Sequence, residues 1–157
     1  MTKEQIEKKL NLDQIYNFQE GRAWVQKNNK WGHVDLNGNV TTPMIYDGAG
    51  SFQEGRALVI KGNKWGHVDL NGKVTTPIVY DYVGSFKEGK AWIVKNGKWG
   101  YVDKNGKVTT PIVYDDVGNF KEGRAWVKIK NFEFNINKNG YPFKHKDYYK
   151  LIKGIFK

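Results

Sequence analysis

The chain has 157 residues, a net charge of +10, 15% aromatic residues and no cysteine. That length suits one repeat domain with a continuous core, and the lack of thiols excludes a disulfide framework and thiolate metal sites. No run approaches the roughly 20 apolar residues of a membrane span. Met1–Leu10 alternates Lys and Glu and lacks the apolar core of a secretory signal. As it stands the sequence fits a cytoplasmic protein; a secreted or surface-exposed location would require a trimmed signal.

Residues 1–12 read as an N-terminal helical cap. Thr2 is placed to cap the helix, Gln5 follows three residues on as in a capping box, and Ile6 and Leu10 share one face. From Asp13 a period of 34 residues takes over, marked by Phe18, Phe52, Phe86 and Phe120 and by Pro43, Pro77 and Pro111. Asp47–Tyr80 and Asp81–Tyr114 agree at 23 of 34 positions. Such a repeat buries its apolar face only by stacking on its neighbours. The copies are 13–46, 47–80 and 81–114, then a degenerate fourth at 115–143 and a basic tail or cap at 144–157.

Within a copy three β-like runs are separated by turn chemistry. Asn96-Gly97 between Lys90–Lys95 and Lys98–Asp103 predicts a type I′ hairpin. Gly62-Asn63 and Asn28-Asn29 tolerate the same geometry. A two-residue loop sets Trp24 opposite His33, Leu58 opposite His67 and Trp92 opposite Tyr101, and it sets Gly32 opposite Val25. Asp35-Leu-Asn-Gly38 and its equivalents ending at Gly72 and Gly106 predict a type I turn whose glycine has positive φ. Val74–Tyr80 contains Pro77, which cannot donate to a ladder, so this run lies at an edge or bends. Asp47, Asp81 and Asp115 read as local Asx turn formers. The tail is expected to be helical, with Tyr148, Leu151, Ile152 and Phe156 on it. The fold class expected is therefore all-β: an open, solenoid-like stack of four three-stranded hairpin or meander units with short helical caps, a closed ring being the alternative.

Lys30-Trp-Gly-His-Val-Asp, Lys64-Trp-Gly-His-Val-Asp and Lys98-Trp-Gly-Tyr-Val-Asp each precede x-Asn-Gly and a Val-Thr-Thr-Pro run. This pattern, with the Phe-x-Glu-Gly-[Arg/Lys]-Ala corner, resembles the WG-repeat (KWG-repeat) family. The resemblance covers residues 13 to 140 and implies a bacterial β-rich protein that binds or scaffolds. Copy four has Glu133-Phe134 in place of Trp-Gly, so a ligand contact made through that pair should be absent there.

Two columns of residues are candidates for a binding surface. The first is Trp24, Trp31, Trp65, Trp92, Trp99 and Trp126. The bland reading packs the Trp-Gly rings onto the next copy, with Trp65 in the core; the functional one exposes them as a stacking ladder. The second column is Arg22, Arg56, Lys90 and Arg124, opposed by Glu20, Glu54, Glu88 and Glu122 in columns that could neutralise one another. His33 and His67 sit where copy three has Tyr101, and none of the three histidines has a second metal ligand at short spacing. Catalytic, metal and cofactor residues are not expected. A protein partner is the leading expectation, with glycan or cell-envelope binding through the aromatic ladder next. Weak nucleic-acid or other polyanion binding is a further alternative, because residues 121–157 hold ten bases and three acids.

Overall fold

The computed structural model describes residues 1–156, with Phe156 by its backbone alone. Lys157, and the Phe156 side chain expected on the tail helix, lie outside the described residues. The first element, α1 (Lys3–Leu10), starts as its sequence implies. The Thr2 hydroxyl accepts the Gln5 amide at 3.1 Å, and the Gln5 side-chain oxygen accepts the Thr2 amide at 2.7 Å. Ile6 is fully buried and Leu10 packs beside the same cluster.

Copy one is an antiparallel meander of β1 (Gln14–Ile15), β2 (Arg22–Lys27), β3 (Lys30–Asp35) and β4 (Val40–Tyr46). Copy two repeats it as β5 (Gly48–Ala49), β6 (Ala57–Lys61), β7 (Lys64–Val68) and β8 (Val74–Tyr80). Copy three does so as β9 (Tyr82–Val83), β10 (Ala91–Lys95), β11 (Lys98–Val102) and β12 (Val108–Tyr114). Copy four has β13 (Asp116–Val117), β14 (Arg124–Ile129) and β15 (Phe132–Asn137), followed by α2 (His145–Phe156). The three expected runs are present in copies one to three. Each gains a two-residue strand at the front, too short to show any periodicity. None of the four sheets closes into a barrel.

Turn chemistry sets the register. Asn28 and Asn29 have φ of 53° and 63°, as a type I′ turn requires, and Trp24 falls opposite His33. The tip is held from a distance, because the Asp13 carboxylate accepts the Asn28 amide at 2.8 Å. Asp47 does the same for Gly62, Asp81 for Asn96 and Asp115 for Lys130. These aspartates are thus clamps on a hairpin tip 15 residues onward, not the local turn formers expected. Asp47 and Asp115 also pair with Lys30 and Lys98, which gives the lysine of Lys-Trp-Gly its role. At the second turn Gly38 has φ of 78°, and the Asp35 carboxylate accepts the amides of Asn37 and Asn39.

The proline strand does bend, and the bend explains Trp-Gly. Between Trp31↔Tyr46 and His33↔Thr42, β3 advances two residues while β4 advances four. The excess bulges at Pro43, whose missing N–H suits it to an edge strand. A Cβ added to Gly32 would lie 2.3 Å from the Thr42 carbonyl oxygen and 2.8 Å from that of Pro43. Gly66 and Gly100 face Thr76 and Thr110 in the same way. Copy four has lost both partners at once: Phe134 replaces the glycine, and no proline strand follows.

Contacts divide the chain into two units, Met1–Val79 and Tyr80–Lys157. In the first, alternation turns Ala23, Val25 and Val34 of copy one against Ile6 and Leu12. The corresponding Ala57, Val59 and Val68 of copy two pack with Phe52 and with Tyr46 from the last strand of copy one. Gly38 lies beside Ile6 and Met1, whereas its equivalent Gly72 lies against Thr41 and Thr42. Helix α1 therefore stands in for a preceding copy. In the second unit Ala125, Val127, Phe134 and Ile136 of copy four join Tyr101 and Tyr114 of copy three, and Leu151 of α2 packs against this cluster.

Gly32→Ala tests the carbonyl contact, since the φ at this position needs no glycine and only the added methyl is at issue. Overpacking of this kind costs about 1–3 kcal/mol. Equilibrium denaturation should show a loss in that range, and an unchanged midpoint would refute the contact.

Candidate binding surface

Alternation also decides which side chains share a face. Arg22 and Trp24 of β2 lie on the same side as Trp31 and His33 of β3. Arg56 with Trp65, Lys90 with Trp92 and Trp99, and Arg124 with Trp126 share the equivalent face of their own sheets. All ten candidate residues therefore fall on one kind of surface, within the sheet that carries each.

The six tryptophans are half-buried. This corrects the placing of Trp65 in the core, and it equally denies a fully exposed ladder. Four of them have an indole partner in their own sheet, and Trp92 and Trp99 also pack against the core cluster that copies three and four share. Trp24 and Trp31 have ring centroids 4.9 Å apart and tilted by 37°, and Trp92 and Trp99 are 4.9 Å apart and tilted by 52°. Tyr16, which has no counterpart in the Trp-Gly pattern, stacks on Trp24 at 3.8 Å with the rings 5° from parallel. In copy four, where Glu133 replaces the second indole, Trp126 donates its ring N–H to Glu133 at 3.0 Å.

The charged columns do not work by mutual neutralisation at the positions where their contacts are seen. Arg22 Nε donates to the Leu70 carbonyl at 2.9 Å, and a terminal guanidinium nitrogen donates to Gly21. Arg56 donates to the Gly55 carbonyl. Glu20 accepts the amides of Glu54 and Gly55 at 2.8 and 2.7 Å, and Glu88 accepts those of Glu122 and Gly123. Two successive N–H groups in a tight turn form an anion-binding nest, and each carboxylate fills the nest of the copy after its own. The donated amides hold Glu88 below the usual carboxylate range. The turns themselves are type I′, with Glu20 at φ 54° and Gly21 at 75°, where the sequence pattern shows only a corner. Lys90 is half-buried, and that burial pulls its ammonium down while Asp103 opposes the shift. Arg124 alone of the four is exposed, its guanidinium 4.4 Å from the centre of the Phe143 ring.

His33 and Tyr101 share a position and, it emerges, a task. Both are buried; His33 Nε2 bonds the Gly50 carbonyl at 2.8 Å, and the Tyr101 hydroxyl donates to the Gly118 carbonyl. Each ring also meets an aromatic of the next copy edge-on, Phe52 and Phe120 respectively. The position needs a polar atom at the end of its ring as well as an aromatic body. Burial lowers the His33 imidazole from 6.5 to about 4, partly offset by its bond to Gly50. Among the described residues no cluster of three His, Cys, Asp or Glu could hold a metal ion, and no helix is long and apolar enough to cross a membrane.

The sign of the His33 shift fixes a pH dependence. The folded chain binds fewer protons than the unfolded one between about pH 4 and 6.5, so stability falls as pH drops through that window. The loss is on the order of 3 kcal/mol when complete. In His33→Tyr, which installs the ring that copy three already carries as Tyr101, that component disappears. Denaturant titrations at about pH 7.5 and 4.5 should show the variant losing less stability than the parent; equal losses would mean that His33 is not held neutral by burial.

No curated protein matches this chain. Among solved structures it is similar to an extracellular domain described as that of a hybrid two component system from B. thetaiotaomicron. That likeness has 12% identity and a TM-score of 0.39, over 81% of this chain and 20% of the other. It is also similar to a plant lectin with two metal binding sites from Cicer arietinum, at 13% identity, 92% and 98% coverage and a TM-score of 0.31. A hemopexin fold protein from cow pea gives 12%, 92% and 98%, and 0.31. The chain spans a fifth of the first protein's length, and likenesses this distant carry no conclusion about fold or function. The WG containing repeat matches four times in succession, at residues 2–31, 31–65, 65–99 and 99–131. The inner boundaries of those matches fall on Trp31, Trp65 and Trp99, whereas the sheets are phased from 13, 47, 81 and 115. With 2–131 covered by consecutive repeats of one kind, the chain belongs to the WG containing repeat family.

Proposed function

We propose that this chain is a non-enzymatic bacterial binding module that engages a protein partner through the aromatic and cationic faces of its sheets. The observation that carries this reading is the half-buried indole pair, Trp24 with Trp31 and Trp92 with Trp99, recurring on the same face as Arg22 and Lys90. Aromatic and arginine side chains in such settings are the usual anchors of protein interfaces. A repeat also multiplies like environments, whereas acid–base catalysis needs unlike ones.

Glycan binding is the weaker alternative, because a sugar-stacking platform needs free ring faces. Tyr16 covers one face of Trp24, and the tilted pairs turn ring against ring. The excess of bases in residues 121–157 supports a second, salt-sensitive contact with polyanions.

Indole N–H resonances report each ring separately. Titration with pooled bacterial peptides and proteins should shift the Trp24, Trp31, Trp92 and Trp99 signals saturably. Soluble cell-wall oligosaccharides should leave them in place. Saturable shifts with the oligosaccharides, and none with protein, would reverse this reading.

A further inference from the structure

The C-terminal helix carries more apolar surface than its packing uses. At about 100° per residue, Asp147, Leu151 and Gly154 fall on one side of α2. That side is the one against the sheet: Gly154 lies beside the Ile129 side chain, and Leu151 packs on the copy-four core. Proceeding round the helix, Ile155, Tyr148, Ile152 and Tyr149 follow in turn, and they are 45%, 40%, 55% and 61% exposed. The exposed His145 falls between Ile152 and Tyr149, and Lys153, Lys146 and Lys150 complete the circle, with the Lys153 ammonium 5.2 Å from the centre of the Tyr149 ring. Tyr148 and Ile155 also line an apolar groove of about 310 Å³ with Tyr141, Pro111 and Val113.

We infer that this outer face of α2 lies on an anionic lipid surface, with the tyrosines and isoleucines in the headgroup region and the lysines against lipid phosphates. An apolar sector bordered by cations is the arrangement of a helix lying in the membrane plane, and at twelve residues α2 is too short to span. Charge selects this occupant over the others. Residues 121–157 hold ten bases against three acids, so two such ends repel each other and a second copy is a poor cover. Nucleic acid would answer the charge and stack on the tyrosines, but it offers nothing to Ile152 and Ile155.

Flotation of the whole chain with phosphatidylcholine vesicles, with and without phosphatidylglycerol, tests the inference. Binding should be about tenfold stronger to the anionic vesicles and should weaken with salt. The exposed-site variants Tyr149→Ser/Ile152→Ser and Lys146→Gln/Lys153→Gln should each lower it, with the melting temperature unchanged. Loss in the lysine variant alone would make the face a general polyanion site and overturn the inference. So would absence of vesicle binding at low salt, or equal binding to neutral and anionic vesicles. Duplex or single-stranded DNA that binds the parent but ignores the serine variant would point to nucleic acid and likewise overturn it.

Discussion

In three of the four copies a backbone carbonyl occupies the space that a side chain on the facing strand would need. The Thr42 oxygen lies where a Cβ of residue 32 would be, and Thr76 and Thr110 do the same at Gly66 and Gly100. The bulge that brings it there takes up two residues of β4 and leaves Tyr46 opposite Trp31. Tyr46 is then delivered to the core of copy two beside Phe52 and Val59. Glycine, bulge, proline and the following tyrosine thus act together in copies one and three, where the bulge sets the tyrosine opposite the tryptophan. Copy four shows what happens when this combination is dropped. Phe134 fills the glycine's place, its ring meets Tyr114 edge-on at 6.3 Å, and α2 supplies the cover that a fourth strand would have given.

Cohesion between successive copies has two components of different size. Apolar contact is the larger, because full burial of a side chain such as Val59 or Phe52 stabilises by about 1.5–3 kcal/mol. A buried hydrogen bond such as His33 to Gly50 adds a net of roughly 0.5–1.5 kcal/mol. The polar contacts matter more for specificity. His33 to Gly50, Tyr101 to Gly118, Glu20 to the Glu54–Gly55 amides and Arg22 to the Leu70 carbonyl each reach a backbone atom of a later copy. Backbone atoms are present whatever the side chains, so the joints survive substitution along the rest of the repeat. His33 and Tyr101 show it, since two different rings serve one joint.

Features governed by neighbours in sequence were legible from the residues. The capping box at Thr2 and Gln5, the paired left-handed residues at Asn28-Asn29 and the positive φ of Gly38 all follow from local backbone sterics. Even the cross-strand pairing of Trp24 with His33 needed only the loop length. What escaped depends on a partner the strand pattern does not point to. Asp47 has the composition of a turn former, and nothing within a few residues says that it clamps Gly62. Glu20 looked like one half of an ion pair because its true partner is a pair of amides, which have no sequence signature. Trp65 recurs as a core residue would, but recurrence does not distinguish burial from half-burial. The face it occupies also carries Arg56, and that neighbour was the available sign that solvent reaches it.

The same alternation that gives every copy an apolar inner face leaves it a second face that varies in chain order everywhere but at the buried ring position of His33, His67 and Tyr101. Copy one carries Tyr16, Trp24 and Trp31 in contact and no net charge. Copy two puts Leu58 opposite His67, where copies one and three have tryptophan. Copy three restores the indole pair and bears a charge of +3, and copy four turns its pair into an indole held by Glu133. The exposed chemistry therefore changes from sheet to sheet while the apolar inner residues hardly do. The departures from the repeat therefore set the surface chemistry of each sheet, and the repeat itself carries the fold.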